Sequence, residues 1–74
     1  MKEEIQLGKY KHYKGQICDV IGVARNSEDL NQKLVIYTHP DENNIEQLWA
    51  RPIAMFQENI DTDKYKGPRF EYLG

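Results

Sequence analysis

An all-β fold, in the form of a small antiparallel barrel, is predicted for this 74-residue chain by three features. Short apolar segments alternate with polar residues at the two-residue period of a strand. Turn-forming residues recur at intervals of about eight to twelve residues, which is typical of small barrels. A chain of this length has a thin core, and its single cysteine rules out an intramolecular disulfide framework. Closure of the sheet into a barrel would therefore help to stabilise it.

The first half of the chain is predicted to form three strands, at residues 8–13, 16–24 and 33–39. The second is the most strand-like, because both of its alternating sets of side chains are mostly apolar. Gly22 lies in its middle and indicates a bulge or a sharp bend, which lets one strand serve two parts of a curved sheet. The polar stretch 25–32 is predicted to be a loop.

The second half is predicted to contain a fourth strand at residues 45–51 and a single helical turn begun by Pro52. Such a turn places Ile53 and Phe56 on one face, where they would close an end of the barrel. An edge strand within residues 57–63, turn residues at 65–68 and a last strand at 69–73 follow. Five or six strands with one short helical turn before the last strands favour an SH3-like barrel. An open meander sheet that dimerises is the alternative.

Residues 8–74 are expected to form one domain, preceded by a frayed N-terminus at residues 1–7. No apolar run approaches the roughly 18 residues of a membrane helix, and the first residues lack the apolar stretch of a signal peptide. A single cysteine suits a reducing compartment, so we expect a cytoplasmic protein without membrane contact. The formal net charge of −2 provides no overall field that would attract nucleic acid.

Four blocks of the sequence carry a family resemblance: GKYKHYKG at 8–15, IGVARNSE at 21–28, LWARPIAMF at 48–56 and PRFEYLG at 68–74. In this order and spacing they resemble a small bacterial family, the domain of unknown function 1653. The resemblance spans nearly everything from residue 8 to residue 74. It implies an SH3-like β-barrel in the cytoplasm and implies no activity. This chain has Asn26 where members commonly carry a histidine, which argues against catalysis at that loop.

Polar and aromatic side chains beside the apolar strands favour a binding site. Arginine can grip a carboxylate or phosphate through forked hydrogen bonds, and tryptophan or tyrosine rings can stack on a planar ligand. We therefore predict a non-catalytic binding or accessory module that recognises an anionic or planar partner. The candidate residues are Arg25, Ser27, Glu28, Tyr37, Trp49, Arg51 and Arg69. Alternatively, Arg51 or Arg69 pairs with Glu28 or Asp19 and ties loops to the barrel.

Two other binding functions fit the pattern. The first strand is basic and aromatic, and its lysines and rings could contact the phosphates and bases of RNA or single-stranded nucleic acid. The residues of that alternative are Lys9, Tyr10, Lys11, Tyr13 and Lys14. An SH3-like module could instead present an aromatic groove to an extended peptide. Such a groove would need Tyr10, Tyr13, Trp49 and Tyr72 to be exposed.

Enzymatic chemistry is not expected from this sequence. Cys18 lies inside a strand with no histidine close to it in the sequence, so we expect a buried, inert thiol. The two imidazoles, His12 and His39, lack the spacing of a zinc site, and no cofactor-binding motif is present. We therefore predict neither a metal nor a cofactor. The partner is left open between an anionic small molecule, a protein tail and RNA, for a chain that is a monomer or a weak homodimer.

Overall fold

A computed structural model of the protein describes residues 5–74. Residues 1–4 of the predicted frayed N-terminus lie outside that range. Of the remainder, Ile5 packs against the hydrophobic core. The carbonyl oxygen of Gln6 accepts a hydrogen bond of 2.7 Å from the hydroxyl of Tyr10. The segment that leads into the first strand is therefore attached to the sheet.

Seven strands and one helical turn make up the described chain. They are β1 (Gly8–His12), β2 (Ile17–Asn26), β3 (Asp29–Pro40), β4 (Glu46–Pro52), α1 (Ile53–Phe56), β5 (Asn59–Asp61), β6 (Lys66–Pro68) and β7 (Phe70–Tyr72). Five strands form one antiparallel sheet in the order β4-β3-β2-β1-β7. Strands β5 and β6 form a separate two-stranded sheet.

The predicted all-β class is confirmed, and so is a single short helical turn before the last strands. The strands number seven because residues 66–68, expected as a turn, pair with β5. Among residues 5–74 the large sheet stays open: β4 and β7 are its two edges, and β7 pairs with β1 alone. No closed barrel forms, and the SH3-like description is not confirmed.

The central hairpin contains the bulge that Gly22 indicates. Val20 lies opposite Tyr37, whereas Gly22 lies opposite Ile36, so Ile21 is the extra residue between them. A bulge of this kind increases the local twist of the strand. The hairpin of the two longest strands is therefore more strongly twisted at this point.

The prediction of a loop at residues 25–32 is wrong. Strand β2 continues to Asn26 and β3 begins at Asp29, so only two residues turn. The side chain of Asn26 accepts a hydrogen bond from the backbone N–H of Glu28 (2.8 Å) and donates one to the side chain of Gln32 (2.7 Å). The polar side chains of this stretch were the reason for predicting a loop. In the structure they stabilise the end of the hairpin by hydrogen bonds.

One face of the large sheet, called here the inner face, carries the core. Residues that are directly opposite each other in an antiparallel pair lie on the same face. Tyr10 is opposite Cys18, and Val20 is opposite Tyr37, which places all four on the inner face. The buried core consists of Tyr10, Cys18, Val20, Val35, Tyr37, Ile53 and Phe56.

The helical turn covers part of the inner face. Pro52 ends β4 with φ −53° and ψ 139°, and the chain then enters α1. Ile53 and Phe56 are buried, as their spacing predicted, whereas Met55 between them is 48% exposed. The turn thus contributes one apolar edge to the core and leaves its other side in solvent.

Aromatic rings join this turn to the sheet. The ring of Phe56 stacks on Phe70 of β7, with centroids 4.1 Å apart and planes 2° from parallel. It also meets Tyr10 edge-on at 5.3 Å and Tyr37 at 5.6 Å. Such ring pairs contribute about 0.5–1.5 kcal/mol each beyond their buried area. Phe56 therefore links α1 to β1, β3 and β7 at once.

Replacement of Phe56 by Ala is expected to lower the free energy of unfolding by about 3–5 kcal/mol, because the side chain is 1% exposed and its loss leaves a cavity. Urea unfolding followed by circular dichroism measures the change. Met55→Ala in the same turn is the matched control and should cost under about 1 kcal/mol, since that side chain is half exposed. Equal losses in the two variants would contradict this assignment of the core.

Candidate functional site

An open cleft lies on the part of the inner face that α1 does not cover. Its volume is about 210 Å³. All five strands of the large sheet contribute to its walls, and Gln16 comes from the turn before β2, so the cleft spans the sheet. The lining residues are His12, Gln16, Cys18, Tyr37, His39, Trp49, Arg51 and Phe70.

Strand pairing explains why these residues meet. Tyr37 is opposite Trp49, and Val35 is opposite Arg51, so both β4 side chains lie on the inner face. His12 is opposite Phe70 across the β1–β7 pair. The cleft therefore combines residues that are far apart in the sequence and adjacent only in the sheet.

Cys18 belongs to the buried part of the cleft. It is 3% exposed, and burial raises the pKa of its thiol to about 11. A thiol with that pKa is almost entirely protonated near neutral pH, and a protonated thiol is a poor nucleophile. The expected burial of Cys18 is confirmed.

Trp49 forms an exposed wall and is held in one orientation. Its indole N–H donates a hydrogen bond of 2.9 Å to the carbonyl oxygen of His39 on the neighbouring strand. The side chain is 41% exposed, so it is not part of the core. A fixed ring with one free surface is suited to stacking on a planar group.

Arg51 is the cation of the cleft. Its Nε–H donates a long hydrogen bond of 3.4 Å to the hydroxyl of Tyr37, and its guanidinium carbon lies 5.9 Å from the centre of the Phe70 ring. That ring distance is within the range of a cation–π contact. Among residues 5–74 no carboxylate lies within ion-pair distance of Arg51. The two terminal amino groups of the fork thus have no anionic partner there.

His12 lies at the opposite wall. Its Nδ1 accepts a hydrogen bond of 3.1 Å from the backbone N–H of Lys14, and its ring meets Phe70 edge-on at 4.9 Å. Burial lowers the pKa of the imidazole, and the positive charges of Arg69, Lys14 and Arg51 and the nearby His39 lower it further. In the neutral ring, Nε2 carries the proton and can donate it in a hydrogen bond.

The electrostatic character of the cleft follows from its residue types. None of its eight lining residues is Asp or Glu, while one is Arg and two are His. Burial is the main cause of the lowered pKa of His12, and the nearby cations Arg69, Lys14 and Arg51 lower it further because they disfavour another positive charge. An anion placed there would be attracted.

Three of the predicted site residues are brought together in this cleft: Tyr37, Trp49 and Arg51. Arg69 does not line it. Its guanidinium pairs with Glu58 at 2.7 Å, and its backbone N–H donates to the carbonyl oxygen of Glu58 at 2.8 Å. Arg69 therefore ties the segment before β5 to β7, and its carboxylate partner is Glu58 instead of the predicted Glu28 or Asp19.

Arg25, Ser27 and Glu28 also lie away from the cleft. They are exposed at the tip of the β2–β3 hairpin, which extends past the end of β4 because Pro52 is already opposite Leu34. The hydroxyl of Ser27 is 3.5 Å from the carboxylate of Glu28. Ser27 and Glu28 contact each other at the tip, and none of the three side chains lines the cleft.

Five lining residues were not predicted as site residues: His12, Gln16, Cys18, His39 and Phe70. Strand alternation places His39 on the same face as Tyr37, and this signal was present in the sequence. The meeting of β1 with β7, which brings Phe70 to His12, has no local sequence signal because it depends on the order of strands in the sheet.

The basic and aromatic first strand is largely engaged in internal contacts. Tyr10 is 6% exposed, and Lys9 forms an ion pair of 3.1 Å with Asp19. The ring of Tyr13 stacks on Tyr65 at 5.4 Å, with the ammonium of Lys14 5.8 Å from its centre. With Tyr10 buried, neither the nucleic-acid surface nor the peptide groove has all of the rings it required. Both remain predictions.

Neither a metal centre nor a membrane span is found in the described part of the chain. No group of three or more His, Cys, Asp or Glu residues within residues 5–74 could hold a metal ion. No helix among these residues is long and apolar enough to cross a membrane.

The fold and the cleft define a small all-β protein that has an open sheet and a pocket lined by an arginine and aromatic rings. The chain belongs to the family described as a protein of unknown function, DUF1653, whose model matches residues 8–72. It is similar to a crystal structure of a family member from Bordetella bronchiseptica, with 30% identity and a TM-score of 0.84. That similarity covers 100% of this chain and 94% of the other. No curated protein matches the chain.

The stability of the protein is expected to depend on the charge of His12. Because folding lowers the pKa of this imidazole, the folded state favours its neutral form, and the unfolded chain binds a proton more readily. The free energy of unfolding should therefore fall as the pH drops below about 6.5, the ordinary pKa of histidine, and continue to fall through the folded pKa. Urea unfolding at a series of pH values measures the slope.

His12→Phe is the matched variant for this prediction, because it keeps a ring against Phe70 and removes the titrating group. Its unfolding free energy should change less with pH between about 7 and 5 than that of the wild type. Identical slopes in the two proteins would show that His12 does not carry the effect.

Proposed function

We propose that this protein is a non-catalytic binding module whose cleft takes one small anion that carries a planar ring. The environment of the Arg51 guanidinium is the main support for this proposal. The guanidinium lies over the ring of Phe70 and beside the hydroxyl of Tyr37, with no carboxylate partner among residues 5–74. A partly buried cation without a counter-charge is costly, and a bound anion would remove that cost.

The size and the rings of the cleft support a ligand of this class. An apolar cavity of about 150 Å³ holds one benzene molecule, so a cleft of about 210 Å³ has room for one ring with a small charged substituent. The exposed surface of Trp49 lies two residues from Arg51 on the same strand, about 7 Å away along the backbone. One ligand could therefore stack its ring on Trp49 and bind Arg51 through its anionic group at the same time.

The state of the cysteine favours binding without catalysis. The thiol of Cys18 is buried, and its raised pKa keeps it protonated near neutral pH. We also propose that the protein is a bacterial, cytoplasmic one. A single unpaired cysteine and a family member in Bordetella bronchiseptica support that placement.

Three probe compounds separate the contributions of charge and ring. Benzoate has both, cyclohexanecarboxylate has the charge without a flat ring, and benzamide has the ring without the charge. Each is titrated into isotope-labelled protein, and amide chemical shifts are followed by NMR. Benzoate is expected to bind most tightly and to change the amide chemical shifts of Tyr37, Trp49 and Arg51. Equal responses to all three probes, or shifts outside the cleft alone, would overturn it.

Arg51→Ala should weaken benzoate binding about 10- to 100-fold, because hydrogen bonds to a charged group contribute about 1.5–3 kcal/mol. Its stability should change by no more than about 1 kcal/mol, since the removed contacts are one long hydrogen bond and one partly exposed ring contact. Dissociation constants from the NMR titration and urea midpoints give the two quantities.

Arg25→Ala is the matched control, because it removes the same charge from the exposed hairpin tip. It should leave benzoate binding unchanged. A large loss of stability in Arg51→Ala, or equal loss of binding in both variants, would assign Arg51 to the scaffold or the effect to overall charge. Stronger binding of single-stranded RNA than of benzoate, with shifts centred on Lys9–Lys14, would favour the nucleic-acid alternative.

A further inference from the structure

Strand β4 is an edge of the large sheet that lacks the usual protection. Among residues 5–74 its only neighbour is β3, and its seven residues pair with β3 without a register shift. Natural edge strands are usually short, bulged, or marked by lysine or proline within their length. In β4 the middle residues Gln47–Ala50 are uncharged and exposed, and the charged and proline residues stand near or at the ends. The opposite edge, β7, has three residues.

Apolar side chains are exposed along the same edge. Leu48 is 65% exposed, and Ile45, just before the strand, is 58% exposed. On the outer face, which is the face away from the core, Leu48 is followed by Ala50 and adjoins the β3 residues opposite them, Thr38 and Ile36. Antiparallel sheets with one solvated face normally carry polar residues there. An apolar outer face beside an unprotected edge is therefore unusual for an isolated domain.

The exposed surface area of the chain also favours an interface with a partner. A folded monomer of 8.7 kDa is expected to expose about 4,700 Å². This chain exposes 5580 Å², about 900 Å² more, and a protein in a standard-size interface buries about 800 Å². The radius of gyration is 12.7 Å, against about 11 Å for a compact domain of 74 residues. The excess is comparable with the area that one copy covers in a standard-size dimer interface.

We propose that a second copy of this chain pairs with β4 edge to edge, antiparallel, around a two-fold axis at Trp49. Residues that lie opposite each other in an antiparallel pair of strands have their side chains on the same face of the sheet. A two-fold axis at Trp49, the middle residue of β4, allows all seven residues of the strand to pair with the second copy. The five-stranded sheets of the two copies then form one continuous sheet of ten strands.

This register is compatible with the side chains. On the inner face Gln47 lies opposite Arg51 of the second copy, and the two Trp49 residues face each other. On the outer face Leu48 lies opposite Ala50 of the second copy, so a large residue meets a small one. No two like charges are opposed within the strand, which would otherwise destabilise the pairing.

The dimer also changes the cleft. Trp49 and Arg51 line the cleft and belong to the inner face of the edge strand. In the paired sheet, Gln47 and Trp49 of the second copy stand beside them, so the two clefts meet at the two-fold axis. The second copy therefore completes the wall that is open at β4 in the single chain. This inference does not depend on the class of ligand proposed for the cleft.

Sedimentation velocity from about 1 µM to about 1 mM protein tests the pairing, because this range covers weak and moderate dimers. The wild type is expected to shift from the monomer mass of 8.7 kDa toward twice that mass as the concentration rises. Leu48→Lys adds a charge at the centre of the edge on a side chain that is already exposed, and it should remain a monomer throughout. Circular dichroism checks that the variant is folded.

Leu73→Lys is the matched control, because Leu73 is also about half exposed but lies after β7 at the far side of the sheet. It should dimerise like the wild type. Hydrogen exchange provides a second measurement: the Leu48 and Ala50 amides should be protected more strongly at high than at low concentration. A wild type that stays monomeric at about 1 mM, or a Leu48→Lys protein that still dimerises, overturns the proposal.

Discussion

The stack of Phe56 on Phe70 holds the two ends of the fold together. It joins the helical turn after β4 to the last strand, two segments that have no backbone pairing with each other. One surface of Phe70 belongs to this stack, while its ring also adjoins His12 and the guanidinium of Arg51. The same side chain therefore completes the core and forms a wall of the cleft. Any change that moves Phe70 affects stability and site together.

The polar groups of the cleft give a physical reason for the open sheet. A closed barrel would place the inner-face residues His12 and Arg51 in its interior, away from water. Burial of an unpaired guanidinium costs several kcal/mol, which a core of seven buried residues cannot easily offset. The open cleft leaves both groups partly exposed to water. The open sheet in turn leaves β4 as a long edge and a large exposed surface.

Local signals in the sequence predicted much of the fold. The proline at 52 and the spacing of Ile53 and Phe56 predicted the helical turn, and Gly22 predicted the bulge, because backbone geometry restricts what these residues do. Barrel closure failed as a prediction because it depends on which distant edges pair. The cleft was predicted in part: Trp49, Arg51 and Tyr37 are neighbours in one hairpin register, whereas His12 and Phe70 meet only through the β1–β7 pair. Arg69 looked equivalent to Arg51 in the sequence, and only the position of Glu58 separates their roles.

Arg51 is proposed to bind an anion in a cleft lined by aromatic rings. A crystal structure of the protein grown with benzoate would show this binding. We expect the carboxylate within hydrogen-bond distance of the terminal amino groups of Arg51, with the benzoate ring against Trp49. A structure in which Arg51 is paired with a carboxylate of its own chain, and benzoate is absent from the cleft, would rule out this binding site.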